Sequence, residues 1–462
     1  MAEPGTRHLG GGVLASSVSQ VVTLGAAAVT SILIARILGA GGLGAFALAA
    51  SFTGMALLLV GFGFKQGIMV LVGQGAWPLV AVGADLFLPL ALMGPLGAAI
   101  VVAGYEILRD SALQPVPAEV VPVLAASMVF GLAWQWSWAL ALALERYEGY
   151  AAIFIAPPVA TLLLAPALGA AFGLEAAIIG LAAGQAVGGL VGLGWAARSG
   201  TRWRWRERAA DRGKRLAAAF RFGLQSWGSE ILRFSNMRLD LFFVAAYTSA
   251  AQVGKYSVAV AVTGIGLVLP QALGTAVLPR TAILKGASAR GEVHTGDADL
   301  SDARACRHTV LMIPLSALVV LVLLFAAIPI FYGSEFHRSI GLGLILLPGV
   351  LALGLAQVMT AIVQGRGRAD YALYSVLLTV IPTVAGYALV IPDAGATGAA
   401  VVSLCCYLAS AVVAYWFFHR ETGIPARRAL LPSAEEFRAY RDVVRLTIDY
   451  ARTAPAQLRR RR

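Results

Sequence analysis

Five polar residues, Ser226, Glu230, Arg233, Asn236 and Asp240, recur at spacings of three and four within an otherwise apolar stretch. On a helix they fall within one arc of about 120°. Glu230 and Arg233 are three apart, close enough on a helix for opposite charges to pair. Arg238 lies outside the arc. An ionised group at the centre of a bilayer costs at least about 2.5 kcal/mol, so such a stripe should face protein or water. Near the start of the chain, Ser16, Gln20, Thr23, Thr30 and Ser31 form a similar stripe without charge. The candidate cavity residues are therefore Gln20, Thr23, Glu230, Arg233, Arg238 and Asp240. Their chemistry is non-covalent: Arg233 or Arg238 would meet an anionic group on a substrate. The competing reading is an internal ion-pair cluster that pins helices together. Gln357, Thr360 and Gln364 read better as helix-to-helix hydrogen bonds.

Catalytic signatures are missing. There is no G-x-x-x-x-G-K-[ST] phosphate loop, and Gly254-Lys255-Tyr256 does not make one. No histidine pair has metal-ligand spacing, and Cys306, Cys405 and Cys406 suit neither a disulfide framework nor a metal site. Asp297-Ala298-Asp299 has the form of a metal–nucleotide motif but reads as part of a solvated Gly/Ser/Asp-rich loop. The expectation is a protein that is not an enzyme and uses no cofactor.

The elements that must position the stripes are membrane helices. Of the 462 residues, 59% are hydrophobic and only 13% charged, where a soluble domain carries roughly a quarter charged. Apolar runs long enough to cross a hydrocarbon core of about 30 Å lie at 13–35, 43–64, 79–104, 120–143, 151–172 and 175–196, then at 218–247, 252–279, 309–332, 340–363, 371–391 and 397–418. Met1 to Gly12 is polar and short, which predicts a first helix that is retained rather than cleaved as a signal. The fold class is all-α polytopic, about twelve transmembrane helices in two six-helix lobes. The organisation expected is an N-terminal lobe over 1–197, a basic linker over 198–217, a second lobe over 218–418 and a basic amphipathic tail over 419–462.

Charge alternates along the connections. Arginines crowd 197–217, 280–308, the turn at 366–368 and the tail after 418, which holds eleven of them. The opposite connections are short and nearly free of Lys and Arg, with Arg109 and Arg338 as the main exceptions. Twelve spans put every basic loop, and both termini, on one side, which the positive-inside rule makes cytoplasmic. A multi-pass protein of the inner (cytoplasmic) membrane follows. The net charge of +12 then calls for no nucleic acid, and Trp203 and Trp205 among arginines read as an interfacial belt. Past Pro432, Ser433 and Glu436 form a capping box. Phe437, Tyr440, Val444, Ile448 and Ala451 continue at helical spacing, as an amphipathic helix on the membrane surface would.

An offset of 210 residues lays Gly44, Phe46, Ala49, Thr53 and Gly54 on Gly254, Tyr256, Ala259, Thr263 and Gly264. The same offset lays Ser16, Gln20, Thr23 and Thr30 on Ser226, Glu230, Arg233 and Asp240. With a changed offset, Gly173 and Ala177 match Gly395 and Ala399. Six spans per repeat imply a pseudo-two-fold axis along the membrane normal, a geometry used for alternating access.

Arg36-Ile37-Leu38-Gly39 followed by Gly44-Ala45-Phe46-Ala47-Leu48-Ala49 resembles the opening of polysaccharide (Wzx-type) flippases in the multidrug/oligosaccharidyl-lipid/polysaccharide exporter superfamily. Leu239-Asp240, Val253-Gly254-Lys255-Tyr256 and Pro279 resemble the start of their second lobe, and Ala394 to Ala400 the entry to their last helix. The resemblance implies two lobes and transfer of a lipid-linked oligosaccharide of the undecaprenyl-diphosphate type to the outer leaflet. Membrane lipids, and glycan-synthesis enzymes at the tail, are the further partners expected. Such flippases tend to have a basic central cavity, whereas the first stripe here carries no cation. The rival readings are a drug/cation antiporter of the same superfamily, a membrane-embedded polysaccharide polymerase or ligase, and a non-transporting scaffold for glycan synthesis.

Overall fold

A computed structural model describes residues 4–77, 79–199, 209–291 and 294–432. Among them there is no strand. In a bilayer every backbone N–H and C=O must find a partner within the protein, and apolar runs of this length achieve that as helices. The helices are α1 (Pro4–Gly61), α2 (Phe64–Gly73), α3 (Leu79–Leu108), α4 (Val121–Ala143), α5 (Tyr147–Phe172), α6 (Leu174–Arg198) and α7 (Ala209–Tyr247). There follow α8 (Ala250–Gly264), α9 (Val268–Ala289), α10 (Thr295–Val322), a π-helical continuation Leu323–Tyr332, α11 (His337–Gly365), α12 (Ala369–Thr422) and α13 (Ala426–Leu430). Nine stretches of the described residues are long and apolar enough to cross a membrane. Two of these, within α1 and α12, are broken by Gly39 and Gly395 into two helices each. The charged α7 adds a further long helix that hydropathy passes over. The protein is thus an all-α, multi-pass membrane protein.

Four turns away from the arginine-rich connections rest on single glycines. Gly39 (φ 70°, ψ −173°), Gly173 (φ 86°, ψ −161°), Gly333 (φ 93°, ψ 179°) and Gly395 (φ 56°, ψ −140°) combine positive φ with extended ψ. Only glycine adopts that conformation without strain. Gly173 and Gly395, matched by the sequence repeat, thus make the same turn in the two halves.

Two compact units divide the chain, and they cut across the repeat. The first comprises Met1–Val262, Val322–Leu346 and Thr379–Leu404. In it α6 presents Gly180, Gly184, Gly188 and Gly192 one turn apart. A Cβ on each would collide with Ala165, Thr161, Pro157 and Ser137 respectively. This small-residue stripe lets α6 seat directly on α4 and α5.

The second unit comprises Thr263–Leu321, Leu347–Leu378 and Cys405–Arg462. Its core includes Cys306, Val358, Ile362 and Phe418. The stretch 280–308, read from the sequence as a connection, is mostly helix, because α9 runs to Ala289 and α10 starts at Thr295. Some of its charges are paired within the unit, while Arg280, Asp297 and Arg304 are exposed. Arg366 binds Asp302 at 2.6 Å and Asp299, while Thr281 donates to Asp302 at 2.9 Å. At the neighbouring turn, the Arg368 guanidinium hydrogen-bonds Asp370 and holds its carboxyl below the usual carboxylate range.

Candidate functional site

Glu230, on α7, finds its partner in the other half of the sequence. Its carboxylate lies 3.1 Å from Lys65 Nζ, and each side chain is about one-fifth exposed (20% and 21%). The Gln66 amide donates to the same carboxylate, while Gln66 Oε1 is buried without a partner among the described residues. Backbone proximity makes this possible. Gly63 and Gly67 lie against the backbone of Gly223 and Ala219, so closely that a Cβ on either would collide with a carbonyl. Trp227 Nε1 donates to Leu58 O at 2.9 Å and packs on Phe62. Lys65 is the first-half cation that the opening stripe lacks, and it comes from α2, between the second and third spans.

Asp240 is buried and belongs to a chain of hydroxyls. It accepts from Tyr256 Oη and from the Leu241 N–H, both at 2.8 Å. Tyr256 Oη reaches Ser403 Oγ at 3.5 Å, and Ser403 Oγ pairs with Tyr387 Oη at 2.8 Å. The chain ties α7 to α8 and α12 inside the first unit. Among the described residues no cation lies within ion-pair distance of Asp240. Arg238, two residues earlier, is exposed.

Gln20 is exposed, and Thr23 Oγ1 is buried without a partner among the described residues. Arg233 lies on α7, but its side chain is outside the described residues. No described hydrogen bond or ion pair joins Gln20 or Thr23 to Glu230, Arg238 or Asp240. The tail helix over 433–451, and Trp203 and Trp205, likewise lie outside the described residues.

Two further clusters were not anticipated from the sequence. At the start of α7, Arg212 and Arg215 grip Asp85 of α3 at 3.0 and 2.7 Å, and Trp77 Nε1 donates to the same carboxylate. At the opposite end, Arg36 donates to Phe331 O and Ile330 O, both at 2.6 Å, and Glu335 accepts from the Ala40 N–H. Short sequence windows hold no signal for the arginine pairings, since each joins residues far apart in the chain. Among the described residues no group of His, Cys, Asp or Glu side chains is arranged to hold a metal.

A crossing in the first unit reproduces the repeat in three dimensions. A Cβ on Gly44 would collide with Ala250 O, and one on Gly254 would collide with Ala40 O. Ala40 and Gly44 are the residues that the 210 offset lays on Ala250 and Gly254, so each copy makes toward the other the contact it receives.

Long kinked apolar helices, a duplicated plan and sparse polar clusters define a duplicated polytopic membrane fold. The chain belongs to the polysaccharide biosynthesis protein family, whose match runs over residues 9–284. No curated protein matches the chain in sequence. Among solved structures, the fold is similar to a multidrug-resistance MATE family transporter of the MOP superfamily. That match has a TM-score of 0.72 at 15% identity, covering 89% of this chain and 98% of the other. It is also similar to the lipid II flippase MurJ, at TM-score 0.66 and 12% identity, over 90% of this chain and 88% of the other. A MOP superfamily transporter from Pyrococcus furiosus, noted for the reversed polarity of its binding pocket, aligns at TM-score 0.57 and 14% identity over 90% and 95%. The family resemblance read from Arg36–Gly39 and Gly44–Ala49 therefore holds.

Proposed function

We propose that the protein carries a lipid-linked oligosaccharide, of undecaprenyl-diphosphate type, across the cytoplasmic membrane for cell-surface polysaccharide synthesis. The observation that carries this reading is the Lys65–Glu230 pair. A cation stands partly exposed within an apolar bundle, and the carboxylate beside it is one that an incoming diphosphate can displace. Its position on α2 is on the side of the arginine-rich connections, which the positive-inside rule makes the cytoplasmic, loading side. Both termini lie on that side. The polar head is sheltered by protein while the isoprenoid tail stays in lipid, and two six-helix lobes alternate in access. Family membership supports the class of cargo, and the fold supports transport over catalysis.

A drug/cation antiporter is the second reading, and Asp240 favours it as a buried acid with no ion-pair partner among the described residues. The buried acid of the first half, Asp85, is already held by two guanidinium groups, which favours the flippase. In proteoliposomes, uptake of organic cations that is lost in Asp240→Asn would select the antiporter. Appearance of lipid-linked oligosaccharide in the opposite leaflet, lost in Lys65→Ala, would select the flippase.

A scaffold role is separated by truncation, and the structure fixes where to cut. Arg307 Nη1 donates to Arg428 O at 2.6 Å, and Ala429 of α13 is fully buried. Removing 433–462 leaves that docked turn in place. A transporter keeps its activity after this deletion, whereas a scaffold loses function.

A further inference from the structure

Each half of the chain caps a helix end of the other with a charged side chain, at the end of the bundle away from the arginine-rich connections. The π-helical segment Leu323–Tyr332 ends with carbonyls that have no partner further along the helix, and these carry partial negative charge. The Arg36 guanidinium donates to two of them, Ile330 O and Phe331 O. In the other direction, Gly39 breaks α1, so Ala40 begins a new helix whose first N–H groups carry partial positive charge. The Glu335 carboxylate accepts from the Ala40 N–H at 3.2 and 3.3 Å. Tyr332 Oη donates to Ser31 Oγ at 3.2 Å beside them.

Three features distinguish this clasp from a packed core. Arg36 is exposed, so the contact sits at a rim and is not enclosed by apolar side chains. Its attachments are hydrogen bonds to helix ends, which can be exchanged for water without opening a cavity. Both sides hang on a glycine in a conformation that other residues adopt only with strain: Gly39 immediately before Ala40, and Gly333 between Tyr332 and Ser334. Glycines of that kind can absorb a change of helix direction. π-Helical segments also recur at functional sites in helices.

We propose that Arg36 and Glu335 form the gate that closes this end of the transporter, each capping a helix of the opposite half, and that both capping contacts break when the protein changes its side of access. This rests on the reading of the chain as a transporter, but not on what it carries.

The test needs no substrate. Ala40 is fully buried, so Ala40→Cys places a thiol beneath the clasp. The purified full-length protein is treated with a bulky maleimide, and labelling is followed by peptide mass spectrometry, with a second thiol at Asp110→Cys, a strongly exposed position in the turn after α3, as internal reference. In the Arg36→Ala and Glu335→Ala backgrounds the thiol at Ala40→Cys is expected to react about tenfold faster, with the rate at the reference thiol unchanged. Arg36→Lys, which keeps the charge but cannot span both carbonyls, should fall between, and it carries the test together with Glu335→Ala if Arg36→Ala does not fold. An unchanged rate at the Ala40→Cys thiol in monodisperse protein overturns the gate. Failure of oligosaccharide transport with accelerated labelling would count against the cargo and leave the gate standing.

Discussion

Gly44 and Gly254 meet across the α1–α8 crossing, and the Cβ that each lacks would collide with the carbonyl one turn before the other, at Ala250 and Ala40. Because the two pairs are related by the sequence repeat, a local two-fold relates the contacts. Reciprocity sets the expected outcome of substitution. Gly44→Ala and Gly254→Ala should each lower stability by about 1–3 kcal/mol, the usual range for overpacking, and by similar amounts. Gly41→Ala, on the same helix with nothing within 4 Å of a new Cβ, should be neutral or slightly stabilising. Thermal unfolding in detergent distinguishes these, and a neutral Gly254→Ala would show that the helices do not meet there.

Lys65 and Glu230 are each partly exposed, so their pairing should be worth only about 0.2–1 kcal/mol in stability. A double-mutant cycle on Lys65→Ala and Glu230→Ala is expected to give a coupling energy in that range. The effect on transport should be larger. Lys65→Ala is expected to lower it well beyond the loss of stability, with Lys65→Arg keeping a substantial part.

The hydroxyl chain from Asp240 to Tyr387 makes a prediction of the opposite kind. Tyr256→Phe removes a donor from a buried carboxylate, which should cost about 1–3 kcal/mol. Asp240→Asn removes the charge and should offset part of that loss when combined with Tyr256→Phe. Additive losses in the double variant would indicate that the two side chains act separately.

In the second unit, Arg366 neutralises Asp302 while both are nearly buried. Arg366→Ala leaves that carboxylate uncompensated, and breaking a buried pair this way costs about 3–5 kcal/mol. Adding Asp302→Asn should recover much of it. Loss of folded protein in Arg366→Ala, with recovery in the double variant, is the expected pattern by size-exclusion chromatography.

Much of the fold was legible because lipid imposes a simple code. Apolar length marks a span, and arginine marks the loops on one side, so the highly charged α7 could be placed by loop alternation although hydropathy passes over it. The repeat was legible at Gly44 and Gly254 because close backbone approach demands glycine at both places. The polar partnerships were less so. Glu230 and Arg233 stood out by helical spacing, yet Glu230 turned to Lys65, which spacing along one helix cannot reveal. Arg36 was visible as part of a motif, but its acceptors are backbone carbonyls, which no residue type advertises. The stretch 280–308 reads as a loop because it is charged, yet it is mostly helix, and two of its acids, Asp299 and Asp302, meet Arg366 from far along the chain.

Transport of the proposed cargo is the most direct test. Wild-type protein and Lys65→Ala, reconstituted at equal density, would be loaded with a lipid-linked oligosaccharide on a diphosphate, and its arrival in the opposite leaflet followed with an impermeant glycan-binding probe. Rapid arrival is expected with the wild type, and a rate near that of empty vesicles with Lys65→Ala. Arrival no faster with the wild type than in empty vesicles, or equally fast with both proteins, would contradict a carrier that loads its cargo at Lys65.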